Sequence, residues 1–120
     1  MAITYRETGD VDFEQVLALY RALRWSSAEK PRELERALRA SHSLVTAWDG
    51  PRLVGLGNAI SDGALVVYYA HMLVLPDYQG RGIGREIVRR LIARSAGVDQ
   101  HILVAGGGVS DFVRLCGCGS

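Results

Sequence analysis

Between positions 79 and 85 the chain reads QGRGIGR, and an amphipathic pattern follows at once. Glycine in a helical turn is less favourable than alanine by about 1 kcal/mol, so Gly80, Gly82 and Gly84 need a reason to cluster at a helix start. The first N–H groups of a helix have no internal partner and sit at the positive end of its dipole. Where side chains are missing, an anion can approach those N–H groups closely. Arg81 and Arg85 add mobile positive charge at the rim. The chemistry suggested is a cradle for a diphosphate. A nucleoside-triphosphate loop would need Lys-Ser/Thr after its last glycine, and Arg85-Glu86 stands there instead. The dinucleotide fingerprint, G-x-G-x-x-G at the opening of a βαβ unit, has a different spacing.

The elements that must hold this cradle follow from periodicity. ITYRE alternates and predicts a first strand. Asp10 is placed to cap a helix from Val11 to about Trp25, with Val11, Val16, Leu19, Tyr20 and Leu23 on its buried side. Pro31 suits the first position of a second helix carrying Leu34, Ala37 and Leu38. HSLVTAW and RLVGLGNAI flank DGP, which predicts a strand, a turn and a strand. After the turn SDG, ALVVYYAHMLVL reads as a long strand ending at Pro76. A helix from about Gly82 to Ala96 has Ile83, Ile87, Val88, Leu91 and Ile92 on one stripe, and Gly97 is placed to stop it. HILVA is a further strand, GGG a loop, and SDFVRLC a short helical pattern led by a Ser or Asp cap. The order β-α-α-β-β-β-α-β-α predicts a mixed α/β sheet. An antiparallel meander feeds a crossover helix and a parallel strand pair, with helices on both faces.

The bulk composition narrows the function classes. A chain of 120 residues suits one domain, residues 1–120, and 48% hydrophobic with 22% charged residues is a globular balance. Fourteen basic and 13 acidic side chains give a net charge of +1, which argues against nucleic acid or an anionic membrane as the main partner. No apolar run approaches the roughly 20 residues of a membrane span, and MAITYRETGD does not read as a signal peptide. Cys116 and Cys118 are too close in sequence to staple the fold, so reduced thiols and a cytoplasmic setting are expected. No His lies near them in sequence to complete a metal site, and none is expected.

VLPDYQGRGIG closely resembles the acetyl-coenzyme A signature of the GCN5-related N-acetyltransferase (GNAT) superfamily. Its core, Q/R-x-x-G-x-G/A, is filled by Gln79, Gly82 and Gly84, and the V-x-P that often precedes it by Val74 and Pro76. The resemblance extends from ITYRE to DFVRLCGC. It implies acetyl-coenzyme A as co-substrate and no metal. It also implies that the long strand splays from its parallel neighbour at a bulge, so that Met72, Leu73 and Val74 line the pantetheine arm. A backbone N–H there, that of Val74, would face the thioester carbonyl and stabilise an oxyanion. The diphosphate would take N–H groups of Gly80, Arg81, Gly82, Ile83, Gly84 and Arg85. The implied reaction is direct attack by a primary amine, of a small molecule such as an arylalkylamine or of a protein. With an amine pKa of about 10.4, only about one molecule in a thousand is neutral near pH 7.4, about 4 kcal/mol against attack. A general base or a desolvated site must offset this. His71, Tyr68 and Asp62 are the candidates for the base. His71 stands where relatives often carry an acidic residue and has an unperturbed pKa of about 6.5, yet an ordinary strand histidine fits as well. Tyr68 suits a pocket wall better than a base, and Asp62 suits a turn.

The chain departs from the family pattern near its end. Many relatives carry D-F-Y-x-x-x-G-F, whose Tyr protonates the leaving sulfur; here the matching residues are Asp111, Phe112, Val113, Gly117 and Cys118. A thiol with a pKa of about 8.5 leaves without an acid, so slower transfer is expected rather than none. Relatives continue with two further strands, whereas this sequence stops at Ser120. Another subunit completing the sheet, a truncated natural chain and a minimal variant all fit; since a C-terminally shortened sheet would expose the HILVA edge, a homodimer covering it is expected. Relatives often hold Arg where Asn58 stands. Trp25, Tyr20, Trp48, Tyr68 and Tyr69 form either an aromatic acceptor wall or ordinary core. Val113 and the early end keep a second reading open, a non-catalytic or degenerate coenzyme A-binding module.

Overall fold

The computed structural model describes residues 2–9 and 11–103. Five strands form one sheet in the order β1 (Ile3–Arg6), β2 (Ser43–Asp49), β3 (Arg52–Ser61), β4 (Val66–Val74) and β5 (Gln100–Leu103). The first four are antiparallel in sequence, and β5 runs parallel to β4 from Val66↔Gln100 to Tyr69↔Leu103. The helices are α1 (Phe13–Ala22), α2 (Pro31–Arg39) and α3 (Ile83–Arg94), the last being the crossover between β4 and β5. This is the mixed sheet that the alternation of patterns predicts. No helix among the described residues is long and apolar enough to cross a membrane. SDFVRLC, Val113 and both cysteines lie outside the described residues.

The sheet carries helices on both faces, and two glycines decide how closely α3 approaches. A Cβ added at Gly57 would lie 2.6 Å from Ile87 Cγ2 and 3.1 Å from Leu91 Cδ1; one at Gly55 would lie 3.1 Å from Ile87 Cδ1. Strand side chains alternate in facing, so Leu56 and Asn58 point to the opposite face, where α1 packs. Val16, Leu19 and Tyr20 of α1, Leu56 and Leu73 of the sheet, and Ile87 and Leu91 of α3 are fully enclosed.

The helix ends differ from the sequence reading in instructive ways. The cap of α1 is Asp12, whose carboxylate accepts from the Glu14 N–H at 3.1 Å; Asp10, the expected cap, lies outside the described residues. The same helix stops at Ala22 rather than near Trp25, because Arg24 takes φ 59°. Its N–H donates to Arg21 O, the Trp25 N–H reaches back to Tyr20 O, and the Trp25 ring meets the Tyr20 ring edge-on at 5.7 Å. This is a Schellman end with its accompanying apolar contact, formed around an arginine where glycine is usual. Helix α3 stops at Arg94, two residues before Ala96, and Gly97 follows at φ 92°.

Candidate active site

The turn entering α3 is built on two left-handed glycines. Gly80 has φ 79° and Gly82 φ 82°, and a Cβ at either would meet nothing within 4 Å. Gly84 differs: its φ is ordinary, and a Cβ would touch only Val74 Cγ2 at 3.8 Å. Gly82 is the cap residue and supplies no side-chain acceptor, so the N–H groups of Ile83, Gly84 and Arg85 have no acceptor earlier in the helix. They open on a cleft of about 470 Å³ lined by Val74, Tyr78, Gln79, Gly80, Gly82, Ile83, Gly84 and Arg85. Arg81 is exposed at its edge, with its guanidinium 5.6 Å from the Tyr78 ring centroid. Tyr78 donates its hydroxyl hydrogen to Asp49 Oδ2 at 2.6 Å, tying this turn to the β2–β3 hairpin. Gln79 Nε2 donates to Val74 O at 2.9 Å and ties the turn to the end of β4.

Strand β4 leads into the same cleft. Leu75 N–H donates to Val54 O at 2.9 Å. Antiparallel backbone groups alternate between the two sides of a strand, so the N–H groups of Met72 and Val74 point away from β3, toward the β5 side. Among the described residues the β4–β5 register ends at Tyr69↔Leu103. The expected splay beyond that point would involve residues after Leu103, outside the described part. Of the side chains expected along the pantetheine arm, Leu73 is core, whereas Met72 and Val74 lie on the α3 face and are half-buried.

A bulge at Ala70 sets the other half of the site. The β3–β4 register shifts between Asn58↔His71 and Ala59↔Tyr69, which leaves Ala70 without a partner on β3. The extra residue changes the alternation. His71 faces α1 with Asn58, Tyr69 faces the α3 side with Ala59, and Tyr68, paired with Ile60, returns to the face of His71. The His71 ring lies between α1 and its exit loop: Tyr20 Oη is 2.7 Å from Nδ1, and the Trp25 ring meets it edge-on at 4.7 Å. Burial holds the His71 pKa below its usual value and pushes that of Tyr20 up. Asn58 secures the bulge, accepting the His71 backbone N–H on Oδ1 at 2.8 Å and donating from Nδ2 to Ser41 Oγ at 2.9 Å.

The structure therefore brings His71, Tyr20 and Trp25 together, with Tyr68 on the same face. Trp48 and Tyr69, which the sequence left open between acceptor wall and ordinary core, are not brought to this group. Trp48 sits on β2, donating to Thr46 Oγ1 under the Arg6 guanidinium. Tyr69 points to the opposite face from His71 and pairs with His101 at 2.7 Å. Asp62 is a turn residue: Oδ1 accepts from Ala64, Leu65 and Val66 N–H, and these bonds, that of Ala64 first, hold its carboxyl below the usual range. The sequence reading missed Ser41 and gave Asn58 no structural role. The available signal was a polar residue inside the otherwise apolar run LVGLGNAI.

Residues 12–110 match the family model described as the acetyltransferase (GNAT) family. The chain belongs to the GNAT family. A GNAT-family acetyltransferase from Streptococcus pneumoniae TIGR4 superposes with a TM-score of 0.84 at 31% identity, covering 97% of this chain and 86% of that one. An uncharacterised ycf52-like N-acetyltransferase of Prochlorococcus marinus is 25% identical over 94% of this chain, which spans 66% of that relative's length. AAC(6')-Iy, solved with a coenzyme A bisubstrate analogue, shares the fold at a TM-score of 0.73 and 13% identity, with coverage of 95% and 88%.

Proposed function

We propose that this chain is an acetyl-coenzyme A-dependent N-acetyltransferase that acts on a primary amine by direct attack. One observation carries the reading: a single cleft runs from Val74, at the end of a strand whose Met72 and Val74 N–H groups face away from β3, to the uncapped N-terminus of α3. The residues fit the cofactor by their donor set. The diphosphate lies against the N–H groups from Gly80 through Arg85, with Arg81 and Arg85 as countercharge and Gln79 holding the turn. The pantetheine arm runs beside Met72, Leu73 and Val74, and the Val74 N–H meets the thioester carbonyl. When bound, acetyl-coenzyme A supplies an activated acyl group and a thiolate leaving group. The bisubstrate complex of the AAC(6')-Iy neighbour supports this class of ligand for the fold.

His71 and Tyr68 face the acceptor from the α1 side of the sheet, with Tyr20 and Trp25 around His71. The amine is a small molecule or a protein group. A homodimer belongs to the same reading: Ile60 and Ile102, 52% and 40% exposed, are the register neighbours of Tyr68 and leave an apolar row across β3, β4 and β5. Sedimentation tests this, and a monomer at working concentration removes the dimer.

Calorimetric titration with acetyl-coenzyme A is the decisive experiment, followed by thiol release across a panel of primary amines. Saturable binding near one cofactor per chain with amine-dependent release is the expected result. A folded sample that does not bind sinks the proposal, and binding without release would favour a coenzyme A-binding module.

A further inference from the structure

We propose that Tyr20 positions His71 as a neutral imidazole with its proton on Nε2, so that His71 presents a hydrogen-bond donor, not a base, to the acceptor. Tyr20 is wholly buried, and among the described residues His71 Nδ1, at 2.7 Å, is the recorded partner of its hydroxyl. A buried hydroxyl that fails to donate loses its hydrogen bond with water and gains nothing in return, about 1–3 kcal/mol. The phenol therefore donates and Nδ1 accepts. A neutral imidazole has one N–H, so that proton is on Nε2.

The surroundings reinforce this arrangement. Protonating the ring would place an N–H on Nδ1 against the phenol oxygen and deprive the hydroxyl of its acceptor. Around the ring stand Tyr20 and Trp25 from the α1 side and Asn58 from β3, which binds the His71 backbone. Tyr20 is the titratable group among these, and its burial keeps it in the protonated, donating form. Regular pairing from Leu56↔Leu73 to Asn58↔His71 places His71 on the α1 face of the sheet. Tyr20 is a positioning residue, acting through His71.

The consequence concerns the acceptor, and here the inference rests on the acetyltransferase reading. A donor at Nε2 selects an amine that carries an oxygen acceptor (hydroxyl, carbonyl or carboxylate) close to its nitrogen. The amine itself must arrive neutral, because Nε2 has no lone pair to take its proton. The pH dependence of kcat/KM then follows the acceptor's own ionisation.

The tautomer is read directly from the ring-nitrogen NMR spectrum of the 15N-labelled full chain at pH 7.5. The three histidines are assigned by comparison with His71→Gln, His42→Gln and His101→Gln. A predominant Nε2–H form of His71 is expected, changing to a mixture in Tyr20→Phe. A predominant Nδ1–H form in the unaltered protein overturns the proposal, and that spectrum decides even if Tyr20→Phe does not fold. In kinetics, the acid limb of kcat/KM is expected to move with the pKa of the amine across a series of acceptors. A limb fixed at one pH for every amine overturns it. An acceptor lacking the oxygen should lose about tenfold in kcat/KM. A protein that transfers no acetyl group would count against the acetyltransferase reading alone, since the nitrogen spectrum does not depend on turnover.

Discussion

Three glycines that look alike in the sequence divide into two kinds. Gly80 and Gly82 hold left-handed backbone, where any other L-residue is strained by about 1–2 kcal/mol. Gly84 has ordinary backbone and room for a methyl group. Gly82→Ala should therefore lower stability by about 1–2 kcal/mol in urea melts and weaken acetyl-coenzyme A binding in calorimetry. Gly84→Ala should keep its stability within about 1 kcal/mol of the parent. Equal losses from both would show that the backbone conformation is not what matters. Spacing drew attention to this turn but could not separate the two kinds of glycine, because letters do not carry φ. His71 makes a second residue-scale prediction. Its folded pKa lies below the unfolded value of about 6.5, so between the two the unfolded chain binds more protons and stability rises with pH. The contribution is complete above about pH 6.5 and is lost as pH falls toward the folded pKa. Denaturation at pH 5.5 and 8 should show a larger loss for the parent protein than for His71→Gln. The role of His71 as a half-buried partner of Tyr20 was hidden, since the two lie 51 residues apart in sequence.

Element types followed from period and punctuation, whereas their ends were decided by single side chains. A helix pattern continuing to Trp25 gave no sign that Arg24 would turn left-handed, because arginine rarely does so. Arg24→Gly should relieve that strain and raise stability by roughly 0.5–1 kcal/mol, read as a shift in denaturation midpoint. No gain would mean that contacts of the arginine side chain offset the backbone cost. The bulge was equally hidden. VVYYAHMLV is apolar or aromatic on both faces, so an extra residue leaves no break in its pattern. The close packing of α3 on β3 is a third element-scale feature. Gly57→Ala places a methyl 2.6 Å from Ile87 Cγ2, and overpacking of that kind costs roughly 1–3 kcal/mol. A melt unchanged by this substitution would mean that α3 shifts freely.

At the scale of the whole molecule, the order of patterns was enough to give the mixed sheet, because an antiparallel meander followed by a helix and one strand has few ways to close. The overall charge of +1 says little about the proposed anion binding, since the positive groups it would use are local: Arg81, Arg85 and the α3 N-terminus. Exposed charges are screened over roughly 10 Å at 0.1 M salt, so acetyl-coenzyme A affinity should fall severalfold between 50 and 300 mM salt. A salt-independent Kd would place the anion away from these groups. Gly55 and Gly57 give the cleft a second master. They thin the layer between sheet and helix, and the helix so lowered is a rod of 12 residues with the cradle at one end. The proposed seat of the anion is thus a matter of interior thickness as well as of the turn that forms it. Packing one more methyl under the rod would tilt its end, and the cradle would lose its alignment with β4 although none of its own residues had been touched.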